Sequence, residues 1–169
     1  MRLRCFFPAF VAFLFCQFAQ AASNSVTYAL KVGDTFKSGD VIDVNDDEDK
    51  LAATITYGES GGEDFTAAIA DTHLASFPAY TLGNGVNGDK PGGTFYVIQP
   101  KYNGKLTVAV VINVGKKFYI QEEGTALEDF NGFTLAEKTF ITYTIDVEGS
   151  KNYKVYCAGS KLGFYGFKY

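Results

Sequence analysis

An all-β fold, two antiparallel sheets packed as a sandwich, is predicted by three features of the sequence. Short segments alternate apolar and polar side chains with a period of two. Glycine-rich turns separate them. Only one short segment has helical spacing. Strands recurring in this way through a 169-residue chain pack either as a jelly-roll-like sandwich or as a closed barrel, and the sandwich is the preferred reading. About nine strands are expected from the alternating segments.

Val26-Thr-Tyr-Ala-Leu-Lys-Val32 is the first and ends at Gly33-Asp34. Val41-Ile-Asp-Val44 is a short second strand, and Leu51-Ala-Ala-Thr-Ile-Thr-Tyr57 places Leu51, Ala53, Ile55 and Tyr57 on one face. After the glycines at 58–62, residues 64–71 put Phe65, Ala68 and Ile69 on a shared helical face, so this piece is a short helix or a crossover loop. His73 to Gly93 is the longest irregular stretch, a length at which loops are often functional.

Residues 94–99 and 105–114 flank Asn103-Gly104, the strongest local signal for a hairpin. The strand after it is apolar on both faces from Val108 to Ile112, as a central strand covered on two sides would be. Gly115 leads into Lys117-Phe-Tyr-Ile-Gln121, where Phe118 and Ile120 should face inward and Tyr119 and Gln121 outward. Thr139 to Val147 buries Ile141, Tyr143, Ile145 and Val147. In the terminal segment Tyr153, Val155 and Cys157 point one way and Asn152, Lys154 and Tyr156 the other. Gly159-Ser-Lys161 is read as the turn of a terminal hairpin whose second strand, 162–169, is paired into a sheet to the end of the chain.

Met1-Arg-Leu-Arg4, the apolar run from Cys5 to Phe18 and Ala19-Gln20-Ala21 have the order of a secretion signal, too short to span a bilayer. Residues 1–21 are therefore expected to be removed, leaving 22–169 as one secreted, extracellular or cell-surface module. Arg2 and Arg4 are the only arginines, so 13 lysines against 19 acids would remain, a formal charge of −6. An acidic module without arginine is a poor ligand for nucleic acid. Cys5 and Cys16 leave with the signal, and Cys157 alone cannot form an internal disulfide. Its place on an apolar face marks it as a buried thiol.

Tyr156-Cys-Ala-Gly-Ser-Lys-Leu-Gly-Phe-Tyr-Gly-Phe167, preceded by Tyr143-Thr-Ile-Asp-Val-Glu-Gly149, resembles the β-sandwich modules of secreted Bacteroidota proteins. Thr94-Phe-Tyr, Gly104-Lys-Leu-Thr-Val and Lys117-Phe-Tyr-Ile-Gln-Glu122 fit the same layout. Such modules often accompany polysaccharide lyases and glycoside hydrolases and look like carbohydrate-binding modules. The resemblance implies fold and context. It assigns no binding residue, and the chain has no tryptophan, the commonest sugar-stacking side chain.

His73 is the only histidine, which leaves a histidine-based triad one possible base and excludes multi-histidine zinc. Glu122-Glu123 and Glu128-Asp129 are the carboxylate pairs a glycosidase would need, but neighbours along a strand face opposite ways. No catalytic residue is assigned. Asp43, Asn45, Asp46, Asp47, Glu48 and Asp49 form an oxygen-rich run that suits either a structural calcium or a solvated turn. Tyrosines remain as stacking platforms, with amides and carboxylates to fix hydroxyls. The expected patch joins Tyr80, Asn84, Asn87 and Asp89 of the long loop to Tyr119, Gln121 and Glu122. The function expected is non-catalytic binding of a polysaccharide or other glycan, possible neighbours being an extracellular enzyme. The alternatives are a structural or adhesive protein contacting another protein, and a carboxylate-dependent polysaccharide-degrading enzyme.

Overall fold

The structure is a computed structural model and describes residues 25–59, 64–83, 94–124, 139–157 and 160–169. Eleven strands are formed: β1 (Thr27–Ala29), β2 (Val41–Asn45), β3 (Leu51–Glu59), β4 (Ile69–Ala70), β5 (Ala79–Leu82), β6 (Thr94–Pro100), β7 (Gly104–Ile112), β8 (Phe118–Glu122), β9 (Thr139–Val147), β10 (Tyr153–Cys157) and β11 (Gly163–Lys168). They make two antiparallel sheets. One has five strands in the order β2-β3-β6-β10-β8; the other has six, β4-β5-β11-β7-β9 with β1 also on β11. From β5 to β11 successive strands alternate between the sheets, the interleaving of a jelly roll.

Inner faces of both sheets meet in one core. Ile55, Tyr57, Tyr96, Ile98, Phe118, Val155 and Cys157 come from the five-stranded sheet; Leu106, Val108, Val110, Phe164 and Phe167 come from the six-stranded one. Tyr57 is the hub. Its ring stacks on Phe36 at 3.9 Å and takes Phe65 and Tyr96 edge-on, both at 5.3 Å. Tyr96 in turn stacks on Phe164 of the opposite sheet at 4.1 Å. Offset and edge-on pairs of this kind each add about 0.5–1.5 kcal/mol beyond the area they bury. Cys157 lies in this core, and burial pushes its thiol up to about 11.

Two expected hairpins are not hairpins. Pro100 and Gly104 bound a connection between sheets, because β6 is already paired on both edges by β3 and β10, and β7 by β9 and β11. The Asn103 side chain therefore serves a corner: its Oδ1 accepts the Gly149 N–H at 2.8 Å, and Ser150 N–H reaches Pro100 O at 2.7 Å. The chain also changes sheets between β10 and β11, so the terminal segment is a crossover. Its last strand is paired as expected, with Tyr169 and Val26 exchanging backbone bonds at 2.7 and 2.8 Å.

Residues 64–71 are extended rather than helical. Phe65 bridges to Gly83 and Ile69–Ala70 pairs with Tyr80–Ala79. These two short strands, β4 and β5, raise the count above nine and place a strand within the stretch read as a long loop. In β11 the register shifts between Phe164 and Gly166. The extra residue lets Phe164 and Phe167 both reach the core while Tyr165 turns outward. Gly166 has φ of 134°, and a Cβ there would lie 2.0 Å from Tyr28 O, so only glycine fits the bulge.

Candidate functional site

Because side chains alternate, each sheet has an outer face as well, and the two differ. On the six-stranded sheet Ala109, Val111 and Tyr165 form a second apolar cluster with Phe77, Leu74, Tyr80 and Phe140. Residues 71–78 pack over it. Asp71 anchors the segment: its carboxylate accepts Tyr165 Oη–H at 2.6 Å, the His73 N–H at 2.9 Å and a contact from the His73 ring. Burial alone would raise this carboxyl, but those hydrogen bonds outweigh it and hold Asp71 at about 2. Tyr165 is wholly buried despite pointing outward.

The outer face of the five-stranded sheet is built from the other parity of β3, β6, β8 and β10. Register aligns Tyr119, Tyr156, Phe95 and Gly58 in one row across four strands, and Gln121, Lys154, Val97 and Thr56 in the next. Tyr119 and Tyr156 stack at 5.2 Å, and Tyr156 Oη–H donates to Gln121 Oε1 at 3.2 Å. Burial pushes the Tyr156 hydroxyl up, and Tyr119 beside it adds to that. The Phe95 ring lies over Gly58, where a Cβ would stand 2.1 Å from Cε2; glycine lets the ring lie down. Lys154 Nζ sits 4.0 Å from the Phe95 centroid and 5.6 Å from that of Tyr156, a cation between two ring systems. A third row is polar: Gln99 donates to Asn152 at 2.9 Å, and Asn152 to Glu123 at 2.8 Å. Phe95, Val97, Tyr119, Gln121 and Lys154 are half-buried and belong to neither apolar cluster.

The expected patch is thus not one surface. Tyr119 and Gln121 lie side by side on the outer face of the five-stranded sheet. Tyr80 lies on the outer face of the other sheet, packed on Tyr165 at 5.0 Å, with the whole core between. Glu122 has the parity of Phe118 and Ile120, opposite to Tyr119, and pairs with Lys151 at 2.5 Å. Asn84, Asn87 and Asp89 lie outside the described residues, as do Glu128 and Asp129. Phe95, Lys154, Gln99 and Asn152 join the surface without having been assigned to it. The alternation of Asn152, Lys154 and Tyr156 already turned them outward; what the sequence does not state is that β10 lies between β8 and β6.

The acidic run closes on itself. Asp46 Oδ1 accepts the N–H groups of Glu48 and Lys50 at 2.9 and 3.0 Å, Asp49 takes φ of 58°, and Lys50 pairs with Glu48. Among the described residues no three His, Cys, Asp or Glu side chains group as metal ligands, and no helix is long and apolar enough to cross a membrane.

No family model and no curated protein matches the chain. Two solved structures share a weak likeness. One is the K1 cleaved adhesin domain of Lys-gingipain from Porphyromonas gingivalis W83, at 13% identity and a TM-score of 0.38, covering 85% of this chain and 96% of that one. The other is isomalto-dextranase of Arthrobacter globiformis T6 complexed with panose, at 11% identity and a TM-score of 0.30, covering 83% of this chain and 24% of that one. Likenesses of this size carry no argument about ligand or activity.

Proposed function

We propose that this protein is a secreted, non-catalytic module that binds glycan on the outer face of its five-stranded sheet. The aligned row of Tyr119, Tyr156 and Phe95, bordered by amides, with Tyr119 and Phe95 half-buried on either side of the buried Tyr156, is the observation that carries this reading. Tyr119 stacks on Tyr156 yet stays half-buried, and the ring surface left exposed suits the apolar side of a sugar ring. Strands about 4.8 Å apart carry the three rings, so the row spans about two inter-strand steps and suits a chain better than a single sugar. Gln121, Gln99 and Asn152 supply hydrogen bonds to hydroxyls.

A glycan array with affinity electrophoresis of the full chain tests this. Tyr119→Ala should weaken retention about tenfold or more, since losing one stacking and burial contact of this size removes about 1–3 kcal/mol, while Tm stays within about 2 °C. Tyr80→Ala, on the far side of the sandwich, should leave retention unchanged. Capture of a protein in place of any glycan, or retention that depends on Tyr80 and ignores Tyr119, would overturn the proposal.

A further inference from the structure

We infer that Lys154 makes this surface selective for an anionic glycan, one bearing uronate carboxylates or sulfate esters. The inference rests on the reading of the surface as a glycan platform. Lys154 occupies the middle strand of the three that carry the rings, in register with Gln121 on one side and Val97 on the other. It therefore rises between the ring-bearing positions of the two flanking strands, one strand in from the sheet edge. Among the described residues it has no carboxylate partner, whereas Lys50, Lys105 and Lys151 each pair with an acid. Two aromatic rings hold it instead, at 4.0 and 5.6 Å. A ring face attracts a cation but accepts no full hydrogen bond, so the N–H donors of the ammonium are left for an incoming acceptor.

Each acid on a neighbouring position already has a partner. Glu122 is paired with Lys151 at 2.5 Å, and Glu123 accepts from Asn152 at 2.8 Å. An anion arriving beside Lys154 meets Gln121 in its own row and the two rings of the ring row, while the carboxylates of this face, Glu123 and Asp43, stand at the two ends of the third row. The chain as a whole is acidic, with a formal charge of −4, so its general field repels a polyanion. Any retention of one must come from local contact, and a half-buried, ring-held ammonium is where such contact is strongest.

The test is affinity electrophoresis of the full chain in gels holding matched polysaccharides: polygalacturonate against its methyl ester, and carrageenan against its desulfated galactan. Retention should be about tenfold stronger on at least one acidic member than on its neutral partner, as loss of one charge-assisted hydrogen bond implies; the pair that discriminates tells carboxylate from sulfate. Lys154→Met keeps the length and packing of the stem and should abolish the difference, and Lys154→Arg should restore it. Equal retention of acidic and neutral partners, lost on Tyr119→Ala, would overturn the anionic selectivity while leaving the glycan platform standing. Undiminished acid retention in Lys154→Met would overturn the role of this residue. If none of the four is retained, the selectivity fails, and the glycan array decides separately whether the platform does.

Discussion

Tyr165 and Tyr119 both point away from the core, from strands of opposite sheets, and meet different surroundings. Tyr165 is sealed beneath residues 71–78, with Phe77 and Leu74 over the apolar positions of β7 and its hydroxyl on Asp71. Tyr119 stands half-buried against Tyr156, whose ring and hydroxyl also meet Lys154 and Gln121. The difference comes from what each sheet is given to cover it. The chain between β4 and β5 carries Leu74 and Phe77 at the spacing needed to lie on the six-stranded sheet, and Asp71 ties it down. On the five-stranded sheet the outward positions of β6, β8 and β10 carry rings, amides and a cation beside Val97 and Glu123, a mixture that tolerates water on one side. Apolar side chains seal one face; amphipathic ones leave the other partly open to water.

Truncating the sealed position should have the largest effect. Tyr165→Ala removes a fully buried ring and should destabilise by roughly 3–5 kcal/mol, a fall in Tm of about 10 °C by calorimetry. A loss no greater than that of Tyr119→Ala would break the contrast between the two faces.

The anchor should show itself in acid. Asp71 is held at about 2 in the folded protein against an ordinary 3.8, so its contribution to stability is complete above about pH 4 and is lost as pH falls from 3.8 through 2. Urea unfolding from pH 5 to pH 2 should show this decline, and Asp71→Asn should flatten that part of it. A decline unchanged in Asp71→Asn would place the acid sensitivity elsewhere.

Removing one hydroxyl should have opposite signs at two buried tyrosines. Tyr165→Phe takes a donor from Asp71 and should cost about 1–1.5 kcal/mol. Tyr96 Oη is buried with no partner among the described residues, so Tyr96→Phe should be neutral or stabilise by up to about 1 kcal/mol. Equal losses at both would mean that the Tyr96 hydroxyl is satisfied in solution. Tyr119→Ala should likewise stay small, within about 0.5–1 kcal/mol on stability.

Period-two alternation made the strand faces legible. Phe118 inside and Tyr119 outside, or Tyr153, Val155 and Cys157 against Lys154 and Tyr156, follow from it directly. Alternation says nothing about which strand lies alongside which. Asn103-Gly104 has the local chemistry of a hairpin, yet both flanking strands find better-covered partners elsewhere, and the dipeptide turns a corner between sheets. For the same reason alternation alone lets Tyr80 and Tyr119 share a surface, although the core divides them. Ile69–Ala70 and Ala79–Leu82 are too short to show a period. Tyr165 faces outward because Gly166 admits a bulge, a backbone event that composition alone does not announce.

Hydroxyl-radical footprinting of the full chain, read residue by residue by mass spectrometry, tests the contrast between the faces most directly. Tyr119 and Phe95 should label readily, and Tyr165 and Phe77 should label as slowly as the core residue Tyr57. Labelling of Tyr165 and Phe77 at the rate of Tyr119, or protection of Tyr119 and Phe95 to the level of Tyr57, would contradict it.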